Sequence, residues 1–250
     1  MAGFQVFPGV NVTEVDLTNI IPAVSTSVGG FTGHFNWGPV ETLTLVGSEK
    51  DLADVYRPPT NAATSSSFLT AASFLKYGGA LQVARAYHHN AFNSVAGSSG
   101  SISALLLTSR NAFDAIPQGT ITDDRYAFAK YPGLLGNSLS MVIAWGPESY
   151  AGDIAEQFDF APGSSTYADR FSVGGDGTIL DEIHVMIIDE DGLFTGVKGT
   201  ILEKYQGLSL ASDAKSVDGA SIYYKDVINS SSNYVLVSSF IHLYSNADKS

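Results

Sequence analysis

Three places in the 250-residue sequence gather residue types that could do chemistry. The first is Asp189-Glu190-Asp191-Gly192, where carboxylates crowd a glycine as they do in calcium loops. A helix–loop–helix calcium site spreads its oxygen ligands over about twelve residues and closes on a glutamate, and that spacing is missing. Two β-rich runs flank the segment, so Asp191-Gly192 reads instead as the turn of a hairpin between Glu182–Asp189 and Leu193–Leu202. The second place is His88-His89. Adjacent strand residues point to opposite faces, and no further His or Cys stands at ligand spacing, so solvated histidines are expected. The third is Gly174-Gly175-Asp176-Gly177, which matches neither a phosphate loop nor a dinucleotide fingerprint. Serines are plentiful, yet no Gly-x-Ser-x-Gly elbow occurs. The sequence therefore names no catalytic residue, no cofactor and no metal site.

Composition narrows the classes further. There are no cysteines, which removes disulfides, thiolate metal sites and cysteine nucleophiles. Thirteen basic residues face 25 acidic ones, for a net charge of −12, and no window forms a basic patch. Nucleic acid is thus not an expected partner, because phosphate binding needs clustered Lys and Arg. No apolar run approaches membrane-spanning length, and Met1-Ala2-Gly3-Phe4-Gln5 does not open a signal peptide. A hydrophobic fraction of 44% with 15% charged residues suits a globular fold. The short β-branched and aromatic runs between turn residues make that fold strand-rich.

The elements that would have to position any site follow in order. Residues 3–16 alternate apolar and polar positions around Pro8-Gly9, with Phe4, Val6, Val10, Val12 and Glu14 on the extended segment. An edge strand of the local sheet and an arm that adds to another subunit's sheet both fit this pattern. Thr26–Phe35 reads as a strand carrying Gly29, Gly30 and Gly33, and Trp37-Gly38-Pro39 as a turn. Trp37 suits a core anchor better than a ligand-stacking ring. A strand is expected over Val40–Val46, then a helix over Ser48–Tyr56, with Ser48 and Asp51 at capping-box spacing. A second helix over Ala62–Tyr77 carries the stripe Phe68, Ala71, Ala72 and Leu75. Ala80–Tyr87 is small or apolar on both faces, as in a central strand, and a buried Arg85 there requires a carboxylate or carbonyl partner. Asn90–Ser103 is Ser/Gly/Ala-rich and reads as a linker or loose strand, with its Ser/Gly-rich stretch at 94–101. Short ordered segments are expected at Ser103–Ser109 and Ala127–Lys130, and a strand at Leu139–Trp145. A helical turn at Ile154–Phe160, a helix at Tyr223–Asn229 and a strand at Asn233–Val237 complete the reading, with a further element beginning at Phe240–Tyr244.

The motif order Pro8-Gly9-Val10, then Phe31-Thr32-Gly33-His34-Phe35-Asn36-Trp37-Gly38-Pro39, then Asp51-Leu52, then Phe74 through Ala86 resembles the N-terminal region of contractile-tailed bacteriophage tail sheath proteins. The resemblance is clearest over residues 8–87 and returns at Tyr131-Pro132-Gly133-Leu134-Leu135-Gly136-Asn137 and around Tyr234–Val237. It implies an α+β fold: an extended arm over 1–25, a β-β-α-α-β unit over 26–89 belonging to a core domain, and a β-rich outer domain over 90–250. It implies a non-enzymatic subunit that polymerises as helical hexameric rings around a tail tube and contracts to drive the tube into a host. The implied partners are other copies, the tail tube protein, and baseplate and tail terminator proteins, without nucleic acid or membrane. The implied location is the virion tail, after synthesis in the bacterial cytoplasm. Phe4, Val6, Pro8, Gly9, Val10, Val12 and Glu14 become the inter-subunit arm. Phe31, Gly33, Phe35, Trp37, Gly38, Pro39, Phe68, Leu75 and Arg85 become the core motif. Typical members run longer and end in a C-terminal α/β domain, toward which residues 238–250 would lead. Another phage tail, baseplate or host-attachment module is the alternative, and a small hydrolase a distant one.

Overall fold

The computed structural model describes residues 28–97, 105–116, 125–170 and 179–238. The expected arm, the Gly174–Gly177 turn and the Phe240–Tyr244 element lie outside the described residues.

Strand β1 (Val28–His34), strand β2 (Leu43–Val46), helices α1 (Glu49–Tyr56) and α2 (Ala62–Leu75), and strand β3 (Ala80–Ala86) follow one another along the chain. β3 lies in the middle of this sheet, parallel to β1 and antiparallel to β2. Both helices begin where the chain supplies a cap. Ser48 Oγ accepts from the Asp51 amide at 3.1 Å. Asn61 and Thr64 form a reciprocal capping box. α2 stops at Leu75, two residues short of the expected Tyr77, where the Tyr77 amide donates to the Phe74 carbonyl three residues back at 3.0 Å and the α-helical pattern tightens. β2 starts at Leu43 and not at Val40, because Glu41 takes a positive φ of 59° and turns the chain first.

The helices cover one face of the sheet. Phe35, Val46, Leu52, Tyr56, Phe68, Ala71, Ala72, Leu75, Leu81 and Val83 form a single buried cluster there. The other face is not covered. Gln82 is exposed, and Leu43 and Leu45, which sit opposite Ala84 and Gln82, are exposed as well. β3 is therefore central in the sheet but buried on one side alone, unlike the two-sided burial expected of it. Phe74 lies against Gly29, and a Cβ at that glycine would come within 2.5 Å of its ring, so a larger residue there requires the Phe74 side chain, 39% exposed, to swing away.

The rest of the described chain builds two antiparallel sheets and three short helices. Strand β4 (Val95–Ala96), helix α3 (Arg110–Asp114), strands β5 (Ala127–Ala129) and β6 (Leu139–Trp145), and helix α4 (Asp153–Gln157) come first. Strands β7 (Glu182–Asp189) and β8 (Thr200–Ser209), helix α5 (Tyr224–Ser231) and strand β9 (Val235–Val237) follow. The sheets run β4-β5-β9 and β6-β7-β8. Ile183, Val185 and Ile187 of β7 pack with Tyr224 and Ile228 of α5 and Val235 and Val237 of β9. The described fold is thus mixed α/β, with three small sheets and five α-helices among the described residues.

Two expectations are corrected. β8 starts at Thr200, so residues 190–199 form a ten-residue loop and not a two-residue hairpin turn. The reason is Asp189, whose carboxylate accepts from the Phe194 and Thr195 amides at 2.9 and 2.8 Å and curls the chain around itself. Residues 105–109 do not form an element of their own. Asn93 and Leu105 make an isolated bridge, and Ser109 caps the unexpected helix α3.

Truncating Leu75 to Ala removes a side chain 8% exposed within the first cluster. The expected loss is about 2–5 kcal/mol, transfer and cavity effects together. Urea unfolding measures it, and a loss under about half a kcal/mol would mean that the α2 face is misassigned.

Candidate functional site

The best-made polar centre of the molecule is a joint between the first sheet and the remainder of the chain. After β1 the chain leaves the sheet through Phe35-Asn36-Trp37-Gly38-Pro39. The backbone carbonyls of this turn have no ladder to join. Arg85 on β3 reaches them. It is 8% exposed, its Nε donates to Phe35 O at 3.0 Å, and its terminal nitrogens donate to Gly38 O at 2.9 Å and Asn36 O at 3.3 Å. A further bond, at 2.8 Å, goes to Pro132 O in the Tyr-Pro-Gly segment. Of the two partners expected for Arg85, carbonyls are present, and no carboxylate among the described residues is bonded to it. Burial pushes its pKa down to about 10, which leaves it cationic at neutral pH.

Gly38 is required twice over in this turn. Its φ is 103°, and a Cβ there would come within 2.6 Å of the Tyr56 ring. Phe35 and Trp37 leave the turn on different sides. Phe35 packs at 4.5 Å on Tyr56 in the first core. Trp37 is buried in another cluster, edge-on to Tyr131 at 5.3 Å and to Phe194 at 5.0 Å. Phe194 in turn meets Tyr234 edge-on at 5.3 Å. Edge-to-face geometry of this kind adds roughly 0.5–1.5 kcal/mol per pair beyond area burial. Arg57, just past α1, lies over Phe194 and Tyr234 at 5.7 and 5.3 Å and donates to Tyr234 Oη at 2.8 Å.

Phe194 is delivered to the joint by the Asp189 loop. Burial pushes the Asp189 carboxyl upward. Hydrogen bonds from Ser138 Oγ, the Thr195 amide and hydroxyl, and the Phe194 amide outweigh it, and the net shift is below the ordinary aspartate range. The fold therefore favours the carboxylate. Its stabilisation is present above the unfolded pKa and is lost as pH falls through the lower folded one.

The remaining core-motif residues belong to the first sheet, the helix that covers it and the turn that leaves it. Phe31 packs at the edge of its cluster, Gly33 pairs with Arg85 in register, Phe68 and Leu75 lie inside it, and Pro39 follows the turn. The arm residues Phe4, Val6, Pro8, Gly9, Val10, Val12 and Glu14 fall outside the described residues. Sequence reading missed Arg57, Phe194 and Tyr234 as members of one cluster, and their separation of up to 177 positions leaves no local signal. The two histidines are solvated loop residues, as expected. His88 and His89 follow the end of β3, so strand alternation does not apply, and their exposed rings stack at 4.3 Å. Among the described residues, no group of three His, Cys, Asp or Glu could hold a metal ion, and no helix is long and apolar enough to cross a membrane.

The described chain is thus a mixed α/β protein whose most elaborate polar centre binds its own backbone. Its relatives give it a more specific place. The tail sheath protein of Salmonella phage ViI is 27% identical over 319 aligned positions, covering 93% of this chain and 49% of the relative. That alignment is longer than the chain, so the relative carries inserted segments that this chain lacks. The tail sheath protein of Vibrio phage KVP40 is 40% identical over 78 residues, 31% of this chain and 12% of the relative. A crystal structure of a sheath tail protein from Desulfitobacterium hafniense aligns with 92% of this chain and 35% of its own, at 13% identity and a TM-score of 0.39. No family model matches. The chain is similar to phage tail sheath proteins, and it spans about half the length of the ViI relative.

Replacing Arg85 with Met leaves several buried carbonyls without their donor. Each such group costs about 1–3 kcal/mol, so a total of at least about 3 kcal/mol is expected, with Arg85→Lys recovering part of it. Thermal or urea unfolding reads the loss, and an unchanged midpoint for both variants would remove Arg85 from its structural role. Asp189→Asn is expected to flatten the acid limb of the stability–pH curve below the ordinary carboxylate range. A curve that keeps the wild-type slope would show that Asp189 does not supply it.

Proposed function

We propose that this chain is a structural subunit of a contractile phage tail sheath. In this reading, copies polymerise as helical hexameric rings around a tail tube, and contraction of the sheath drives the tube through the host envelope. The partners are other copies along the tail, the tube protein inside, and baseplate and terminator proteins at the ends. The role is mechanical, with no enzymatic step, no cofactor and no nucleic-acid or membrane partner. The protein belongs to the virion and is made in the host cytoplasm.

The observation that carries the proposal is similarity to a tail sheath protein over 93% of the chain. The joint supports it. A subunit that passes force between its halves needs a tie that resists slippage, and Arg85 binds carbonyls of both. Residues 26–89 would then be the N-terminal part of an inner core domain and residues 90–250 an outer domain.

Residues 1–25 would be the connector. An extended terminal segment gains little by folding on its own, whereas addition to a neighbour's sheet supplies its missing hydrogen bonds. Deleting residues 1–17 is expected to leave circular dichroism and melting temperature near those of the parent while abolishing tube formation in negative-stain images. Normal tubes from the truncated protein would end this account of the arm. Failure of the undeleted protein to form any tube or ring, alone or on tail tubes, would count against the sheath reading itself.

A further inference from the structure

Arg57 is held very differently from Arg85. One terminal nitrogen is bonded to Tyr234 Oη at 2.8 Å, and the guanidinium otherwise rests on the rings of Phe194 and Tyr234. Its Nε is buried and has no hydrogen-bond partner. No carboxylate forms an ion pair with it among the described residues. Its backbone φ is 62°, outside the usual range for a residue with a side chain. The residue borders a cavity of about 440 Å³ whose lining includes Trp37, Pro39, Thr44, Asp54 and Asn233. The single acid in this lining, Asp54, is engaged at 2.5 Å by Lys50. The cavity thus offers a guanidinium with spare donors beside aromatic rings, neutral polar groups and the Asp54 carboxylate, which Lys50 holds and which also feels the Arg57 charge.

We infer that this cavity is a socket for a carboxylate side chain of a second copy of the chain. The chemistry follows from the guanidinium, whose planar fork is matched by a carboxylate. The source follows from charge. With 25 acidic residues against 13 basic ones, a neighbouring copy presents carboxylates far more often than cations. Two such copies repel unless the contact holds cations not already paired within the subunit. Lys50, Arg110 and Lys198 already pair with Asp54, Asp114 and Asp191, and Arg85 is enclosed by carbonyls. Lys76, Arg125, Arg170 and Lys215 also form no ion pair among the described residues, but none of them borders this cavity; Arg57 does, and it lies at the joint that ties the two halves of the subunit together. The inference rests on the self-assembly proposed above.

The test combines association with a direct probe of the cavity. Sedimentation of the full chain is followed against salt for wild type, Arg57→Gln and Arg57→Lys, with melting curves confirming that each variant folds. The expected result is a Kd raised about tenfold or more by Arg57→Gln, a wild-type advantage over that variant that shrinks as salt rises, and partial restoration by Arg57→Lys. Independently, sodium glutarate is titrated into the Trp145→Phe background, where emission reports Trp37 alone. Glutarate is expected to alter that emission and to compete with association. Association of Arg57→Gln with wild-type affinity overturns the socket while leaving assembly intact, and a glutarate titration that leaves Trp37 emission unchanged overturns it as well. A wild-type chain that stays monomeric at every salt concentration removes the assembly reading, and the socket with it.

Discussion

A buried guanidinium organises this molecule. Taking a charge out of water costs several kcal/mol unless hydrogen bonds replace the lost hydration. Arg85 meets that demand with carbonyls alone. Those carbonyls belong to a turn that has left its sheet and to a proline segment in another part of the chain, so they too lack partners of their own. One side chain therefore resolves two desolvation problems together. The arrangement constrains its surroundings. β3 must run beside the exit of β1, so that Arg85 stands opposite Gly33 and next to the turn. The turn must pass close to Tyr56, which leaves room at position 38 for glycine alone.

The same reasoning separates what the sequence discloses from what it conceals. Helix starts are legible because their causes are local. Ser48 meets Asp51 three residues on, and the Phe68, Ala72 and Leu75 stripe repeats within two turns. Arg85 is legible in part. A cation in an apolar run must have a partner, but the sequence could not say that the partner would be the backbone of residues 35–38 and 132. The β7–β8 connection misleads for a related reason. Asp191-Gly192 carries the composition of a hairpin turn, yet Asp189 bonds the backbone at 194 and 195 and converts the turn into a loop. A propensity rule reads the Asp-Gly pair and does not read the side chain two residues before it.

Deeper in the second part of the chain, polar residues are buried with defined partners. His184 is fully buried among Tyr150, Phe158 and Phe160. Its Nδ1 accepts from the Gly207 amide at 3.0 Å, which places the proton on Nε2, facing Phe160 O at 2.8 Å. Asp181 accepts from the Ser165 amide and from the hydroxyls of Ser165 and Ser209. A serine, an aspartate and a histidine in the same region could suggest hydrolytic chemistry by composition. The geometry assigns them otherwise, because each oxygen and ring nitrogen is committed to the backbone or to a neighbouring strand. Buried polar groups of this kind fix register: a slip of one residue along β7 would leave His184 and Asp181 without partners.

The two arginines of the joint show how one residue type can serve opposite ends. Hydrogen bonds are directional, so four of them hold the Arg85 plane in one orientation and make its end of the joint stiff. Ring faces attract a cation over a broad area, so Arg57 keeps its position with fewer fixed directions. The cost of burying Arg85 is offset within the subunit. Arg57 keeps a buried Nε without a partner, and an unpartnered buried donor is costly. A protein with nearly twice as many acids as bases has few cations to distribute. Enclosing one completely while leaving the other short of partners, at the same joint, makes the Arg85 end rigid and the Arg57 end receptive to negative charge.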